Sequence, residues 1–325
     1  MSIVLLSSPE TNAGKTTVAV GIGQRLGRQG KTIAYRRLAG PGDRDDATFV
    51  RSALRQPEPL EALLPLRSSL TVSVDHPADV ILVESSEDTL SAEVVGKHRA
   101  IPLIIARFRV DGMVDQILAH ARAIGASQAD AVNVIINAVP EKGQRQIDQR
   151  VVPELRDHGF NVVGVLPQDR ALVGLTVGEL AEVLHAEILC AHDQLDLPVE
   201  ALMISAMSDE GAEPYFRRFS RKAVVVSGDR PDVQMPALAT DTSCIILCQN
   251  FDPDPTVFKT ADEQGVPLLK VKPDTLVTLE QISDALENTR FRQQYKIARA
   301  VSLITTQLDE NRLNTALGVA GREAA

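Results

Sequence analysis

The chain has no tryptophan, three tyrosines and an aromatic content of 3% over 325 residues. Its cores therefore have to be built from Val, Leu, Ile and Ala, as in layered α/β proteins. The three cysteines, Cys190, Cys244 and Cys248, make no disulfide framework and imply a reducing compartment. Cys244 and Cys248 flank Ile245-Ile246-Leu247, a pattern of small buried strand residues rather than of metal ligands. His185, Cys190 and His192 are metal-ligand types without a metal-ligand spacing. No apolar run reaches the roughly 18 residues of a membrane span, and no basic-then-apolar leader precedes the first strand. A cytoplasmic protein without a membrane partner is expected. The net charge is −9, and the best basic cluster, Tyr215 to Lys222, reads as a solvated helix end. That balance excludes a nucleic-acid partner, because neutralising phosphates takes clustered Lys and Arg.

With 44% hydrophobic and 24% charged residues the chain is globular, and its length suits two domains. Short, near-continuously apolar runs alternate with helical patterns, the signature of βαβ units and a mostly parallel sheet buried on both faces. Strands are expected at 3–6, 32–35, 80–83, 103–106, 132–137 and 162–166. Helices are expected at 15–28, 114–124, 144–158 and 177–185, with Pro153 kinking or restarting the third. Between 40 and 75 the pattern loosens around Asp43, Arg44, Asp45 and Asp46, which reads equally as a substrate-covering segment and as an exposed insertion. A second α/β set follows, with strands at 201–205, 223–226, 243–247 and 268–271 and helices near 232–239, 255–263 and 279–286. Three parts are expected: 1–195, 200–288 and a helical tail, 289–325. About four strands in the second part leave its sheet short of cover. Ile297, Val301 and Ile304 form a stripe on the tail that needs a partner, so a homo-oligomer, a homodimer or a dimer of dimers, is expected.

The first apolar run leads into Ser7-Ser8-Pro9-Glu10-Thr11-Asn12-Ala13-Gly14-Lys15-Thr16-Thr17 and then a helix. A strand, a tight loop, Gly-Lys-Thr and a helix form the context of a phosphate-binding loop. Backbone N–H groups of Thr11, Asn12, Ala13, Gly14, Lys15, Thr16 and Thr17 would cradle the phosphates of a purine nucleotide, ATP first. Lys15 would neutralise them, and the Thr16 hydroxyl would ligate Mg2+.

The loop resembles that of dethiobiotin synthetase, Gly-Thr-Asp-Thr-x-x-Gly-Lys-Thr, with Ser8 at the first glycine and Thr11 at the second threonine. The spacing from Ser8 to Gly14 matches that family's. Further on, the segment from Tyr35 to Gly40 resembles the family's Tyr-x-Lys-Pro, with Arg37 at the lysine and Leu38 at the proline. The segment from Ala78 to Thr89 resembles its acidic site, which makes Glu84 a candidate Mg2+ ligand. The runs from Val134 to Pro140 and from Gly164 to Asp169 resemble its base-lining loops, where Asn137 would read adenine and Pro167 would line the base. Two departures stand out. Ser85, Ser86, Glu87 and Asp88 replace a glycine-rich substrate loop, and Arg37 replaces a lysine and cannot shuttle a proton.

The segment from Ser227 to Ile282 resembles the DRTGG domain, with Gly228-Asp229-Arg230 and Asp232 in the signature and Cys248-Gln249-Asn250 where Thr-Gly-Gly stands. The run from Met207 to Phe216 fits that domain's lead-in. Asp229 and Arg230 read best as a helix cap that holds a loop. Together the two parts resemble the N-terminal regulatory half of long phosphate acetyltransferases, occurring here as a stand-alone protein. The fold implied is α/β: a P-loop NTPase-type, mostly parallel sheet flanked by helices, then a smaller α/β DRTGG domain and a C-terminal helical segment. The function implied is an ATP-binding regulatory or sensor protein linked to central carbon metabolism, with little or no turnover, taking a small-metabolite effector or a metabolic enzyme as partner. An ATP-dependent ligase and an accessory subunit of a separate acetyltransferase chain are the alternatives.

Overall fold

A computed structural model describes residues 1–38, 43–64, 77–85, 88–126, 132–204, 209–287 and 294–319. The chain divides into two compact units, 1–169 with 291–325, and 170–290.

Unit 1 runs β1 (Ser2–Ser7), α1 (Lys15–Arg28), β2 (Ile33–Arg37), α2 (Asp43–Ala53), α3 (Leu60–Leu63), β3 (Val80–Glu84), α4 (Asp88–His98), β4 (Ile101–Arg107), α5 (Met113–Ala123), β5 (Val132–Val139), α6 (Gln144–Gln146), a π-helical turn (Ile147–Val151), α7 (Val152–Asp157) and β6 (Phe160–Pro167). Its six strands lie in the order β2-β3-β1-β4-β5-β6, and every described pairing is parallel. All six expected strands are present. Pro153 acts as foreseen: it lacks an N–H, and the helix changes pitch to π just before it. On one sheet face Ile3, Leu5, Ile81, Val83, Ile104 and Val134 pack against Val94, Met113, Ile117 and Leu155. The connection from β1 leads towards β2, whereas that from β3 leads across to β4. β1 and β3 are therefore the strands at which the order reverses, and the crevice at their C-terminal ends is where such sheets bind ligands.

Unit 2 runs α8 (Arg170–Val173), α9 (Val177–Val183), β7 (Glu187–Ile188), β8 (Ala201–Ile204), α10 (Asp209–Phe216), β9 (Lys222–Ser227), α11 (Pro231–Leu238), β10 (Thr242–Cys248), α12 (Pro255–Gln264), β11 (Leu268–Lys270) and α13 (Thr275–Glu287). Its strand order is β7-β11-β10-β9-β8, parallel except for the short β7 on β11. The expected boundary at 195 moves to 169. Val177, Leu180 and Ala181 of α9 bury against Val225, Ile246 and Leu269, and β7 joins this sheet. The sheet is also not short of cover. Phe216, Val233, Ala237, Val257 and Ala261 pack on one face, and α9 with Ile282 of α13 packs on the other. All three cysteines are buried, and burial pushes the Cys244 thiol up to about 12.

The end of the chain, α14 (Gln294–Gln307) and α15 (Glu310–Ala316), belongs to unit 1 rather than forming a separate tail. α14 lies along α1 at a glycine: a Cβ on Gly21 would stand 2.6 Å from Ile304 Cγ1 and 3.2 Å from the Ala300 carbonyl. Arg25 donates to the Ile304 and Leu308 carbonyls at 3.1 Å each, satisfying the end of α14. Val301 and Ile304 are 2% and 1% exposed, and Ile297 is half-buried. The stripe assigned to a second copy is an internal contact, so neither it nor the covered sheet of unit 2 argues for a homo-oligomer.

The cluster from Tyr215 to Lys222 is a solvated helix end only in part. Arg217 pairs with Glu213, but Phe216 and Lys222 are buried. Lys222 Nζ donates to the carbonyls of Asp241 (2.7 Å) and Phe219 (3.3 Å), and burial lowers its pKa from 10.5 to about 8, with Asp241 opposing. Between those two values the unfolded chain holds more protons, so stability rises with pH from about 8 to about 10.5. Thermal unfolding of unit 2 across that window is expected to show the rise, and Lys222→Met to flatten it. An equal slope in the variant would assign the effect to other groups.

A candidate phosphate-binding loop and its acidic partner

Gly14 holds the turn into α1 at φ 93° and ψ 22°, a left-handed conformation that suits glycine. A Cβ there would collide with the amide nitrogen of Asn137, so both backbone and space demand glycine. Asn137, near the end of β5, donates to the Ala13 carbonyl at 2.8 Å. Its amide nitrogen is thus turned onto the loop, and the paired edge expected to read adenine is not presented. On the other side Glu10 accepts from the Arg107 backbone N–H (2.7 Å) and faces Arg109 (3.6 Å), tying the loop to the end of β4. Thr11 and Asn12 are exposed at the loop's tip, with Asn12 at φ 56°, while Ala13 is buried.

Ser8, at the missing first glycine, is not among the residues with positive φ, so the serine costs the backbone nothing there. Its hydroxyl accepts from Lys15 Nζ at 2.7 Å and donates to the Glu10 carbonyl at 2.6 Å. The Lys15 ammonium is thereby laid across the loop, where the first-turn N–H groups of α1, Thr16 and Thr17 among them, also converge.

Thr16 and Glu84 come together as expected. Thr16 Oγ1 donates to Glu84 Oε1 at 2.9 Å, and Tyr35 OH donates to Glu84 Oε2 at 2.8 Å. Burial and the Glu84 charge raise the Tyr35 phenol well above its ordinary value, so it stays a donor. The register of β2 on β3 sets Arg37 opposite Glu84, and Arg37 Nη1 lies 2.9 Å from Glu84 Oε1 and 3.3 Å from Thr16 Oγ1. Arg37 Nη2 is 3.3 Å from Asp46 of α2. One residue of the acidic run at 43–46 therefore enters the site. The pair expected to ligate Mg2+ is already bridged by a guanidinium, a donor-only group on the same oxygens, and this arrangement does not fit a divalent ion.

Two contacts have no forewarning in the sequence. His120 of α5 is buried, with Nε2 3.0 Å from Ser7 Oγ and Nδ1 3.2 Å from Asp88 Oδ1. The order Ser–His–Asp invites a hydrolase reading, but Ser7 is 1% exposed and offers no substrate a path. Burial lowers the His120 pKa, Asp88 raises it and Lys15 lowers it further, so the ring is neutral at pH 7. The other contact is Glu10. Pro167 ends β6 in register with Val139, three strands from β1. Ser86 and Glu87 lie outside the described residues, as do Pro65 to His76 and part of the lead-in before Asp209.

In unit 2, Arg230 pairs with its near neighbour Asp232 (2.7 Å), while Asp229 accepts from Ser227. These contacts hold the loop before α11, although no side chain caps that helix. Gln249 and Asn250, which stand where the DRTGG signature has two glycines, have φ of 67° and 58°. The glycine conformation survives the loss of the glycines. Backbone bonds to Pro273 and Val271, each 2.8 Å, hold it.

The fold is thus a P-loop NTPase-type parallel sheet flanked by helices, with a smaller α/β unit and a C-terminal helical segment that packs on the first sheet's helix α1. Residues 179–285 match the DRTGG domain. Over 194 residues the chain is 27% identical to the phosphate acetyltransferase of Synechocystis sp., covering 56% of this chain and 27% of that protein. Over 200 residues it is 24% identical to the phosphate acetyltransferase of Nitratidesulfovibrio vulgaris, covering 58% and 28%. The chain spans little more than a quarter of the length of these relatives. Among solved structures it is similar to the CBS and DRTGG domains of the regulatory region of Clostridium perfringens pyrophosphatase, complexed with the activator diadenosine tetraphosphate. That likeness has TM-score 0.31 and 14% identity, covering 45% of this chain and 74% of that one. It is also similar to the Aquifex aeolicus MinD cell division protein, at TM-score 0.39 and 15% identity, covering 53% and 84%. No helix among the described residues is long and apolar enough to cross a membrane.

Proposed function

We propose that this is a cytoplasmic regulatory protein that holds ATP, or another purine nucleotide, on the loop of unit 1 with little or no turnover. Unit 2 would take a small metabolite or meet a metabolic enzyme. The observation that carries the first half is the loop itself: Gly14 in a glycine conformation, Asn137 and Glu10 bracing it, and Lys15 laid across it. Slow turnover is supported by the state of Glu84. Tyr35, Thr16 and Arg37 all donate to it, so most of the carboxylate's acceptor capacity is engaged within the protein rather than turned towards a nucleophile. A ligase reading is weaker, because Arg37 stays protonated where the dethiobiotin synthetase pattern has lysine. The likeness to phosphate acetyltransferases supports a role beside acyl-phosphate chemistry, as a regulator or as an accessory subunit of a separate catalytic chain.

Thermal unfolding of the full chain with ATP, ADP and GTP tests this reading. At a hundred times its Kd a nucleotide adds about 2.7 kcal/mol to the unit it binds, so the transition of unit 1 is expected to rise. No shift with any of the three would end the nucleotide reading, and hydrolysis faster than about 1 s⁻¹ would make the protein an ordinary enzyme.

A further inference from the structure

Arg37 is 8% exposed and directly opposite Glu84 across the β2–β3 ladder, so its contact with the carboxylate is built into the strand register and is not a chance surface pair. Its Nη1 reaches both Glu84 Oε1 (2.9 Å) and Thr16 Oγ1 (3.3 Å), and its Nη2 reaches Asp46 (3.3 Å). Those first two oxygens are the ones a divalent ion would have to bridge. A small divalent ion needs their lone pairs at about 2.0–2.1 Å, and the guanidinium uses the same lone pairs. Tyr35 OH takes Oε2, the remaining oxygen of Glu84. For a metal ion to enter, Arg37 would have to swing out and give up its contacts with the buried carboxylates of Asp46 and Glu84. A guanidinium fork is also well shaped to bind phosphate oxygens, as a metal ion does.

We propose that Arg37 is the resident cation of the nucleotide site: it stands where a divalent ion would bridge Thr16 and Glu84, so the nucleotide binds without Mg2+. The proposal rests on the nucleotide reading above and specifies how that site is charged. Because the cation is covalently part of β2, affinity does not follow the free Mg2+ level.

Calorimetric titration of ATP into the full-length protein, once in EDTA and once in excess Mg2+, tests it. The wild-type affinities are expected to agree within about threefold. Arg37→Gln is expected to lose at least about tenfold in EDTA and to regain part of that with Mg2+. Arg37→Lys, which keeps a cation, is expected to bind ATP in EDTA better than Arg37→Gln and serves if the glutamine variant does not fold. A tenfold loss by the wild type on removing Mg2+, or the same metal ratio in the wild type and Arg37→Gln, would overturn the proposal. A second arm needs no nucleotide. The electron paramagnetic signal of free Mn2+ is expected to be unchanged by the wild type and reduced by Arg37→Gln. Mn2+ capture by the wild type that Glu84→Gln abolishes would overturn the proposal, as would a variant that leaves the signal unchanged. If ATP binds in neither buffer, the nucleotide reading fails and the Mn2+ arm alone decides the identity of the cation.

Discussion

Lys15→Ala is expected to lower the affinity for ATP by about a hundredfold, equivalent to about 2.8 kcal/mol. Lys15 is 8% exposed, and its ammonium sits over the loop on the Ser8 hydroxyl, a neutral partner that a phosphate oxygen can replace. A phosphate oxygen adds an opposite charge to the ammonium's bond, so exchanging the serine for a phosphate is favourable. Without Lys15 the phosphates would face Arg37 alone among the described buried cations around Glu84 and Thr16. Calorimetry on the variant checks the loss. Undiminished affinity in a folded variant would take the loop out of the account.

Gly14→Ala is expected to be as damaging by a different route. A left-handed conformation costs a residue with a Cβ roughly 1–2 kcal/mol, and here that Cβ would also drive into Asn137. Asn137 cannot yield without losing its bond to the Ala13 carbonyl, which holds the loop's other limb. The loop would open, so ATP affinity should fall at least about tenfold while unit 2 unfolds as before. Asn137→Ala alone would leave Gly14 room but loosen the same carbonyl, and a smaller loss is expected. Equal losses from the two variants would mean that the collision is relieved elsewhere.

The sheet of unit 1 was legible because its strands are continuous apolar runs, and buried parallel strands need nothing else. The loop was legible because strand, glycine, lysine and threonine come in one short stretch. What lay beyond reach depends on contacts between distant residues. The stripe of Ile297, Val301 and Ile304 is plainly amphipathic, but only Gly21, a gap on α1, reveals that its partner is internal. β7 has two residues, too short to show a period, so the boundary of unit 1 was placed late. Lys222 read as solvated because it follows three arginines, whereas the strand it opens draws it inward. Tyr35 and Arg37 share one face of β2 by the period of two, yet only the register with β3 brings both onto Glu84. His120 gave no signal, since a lone histidine in a helix is silent until its neighbours are known.

Whether the loop holds a purine nucleotide without spending it can be read directly. One measurement reads both parts: excess protein is mixed with ATP labelled at the γ-phosphate, filtered rapidly, and the retained and released label is separated over time. Label is expected to stay with the protein as intact ATP, and Lys15→Ala is expected to retain none. Label that is never retained, or that leaves as phosphate at about 1 s⁻¹ or faster, would contradict that expectation.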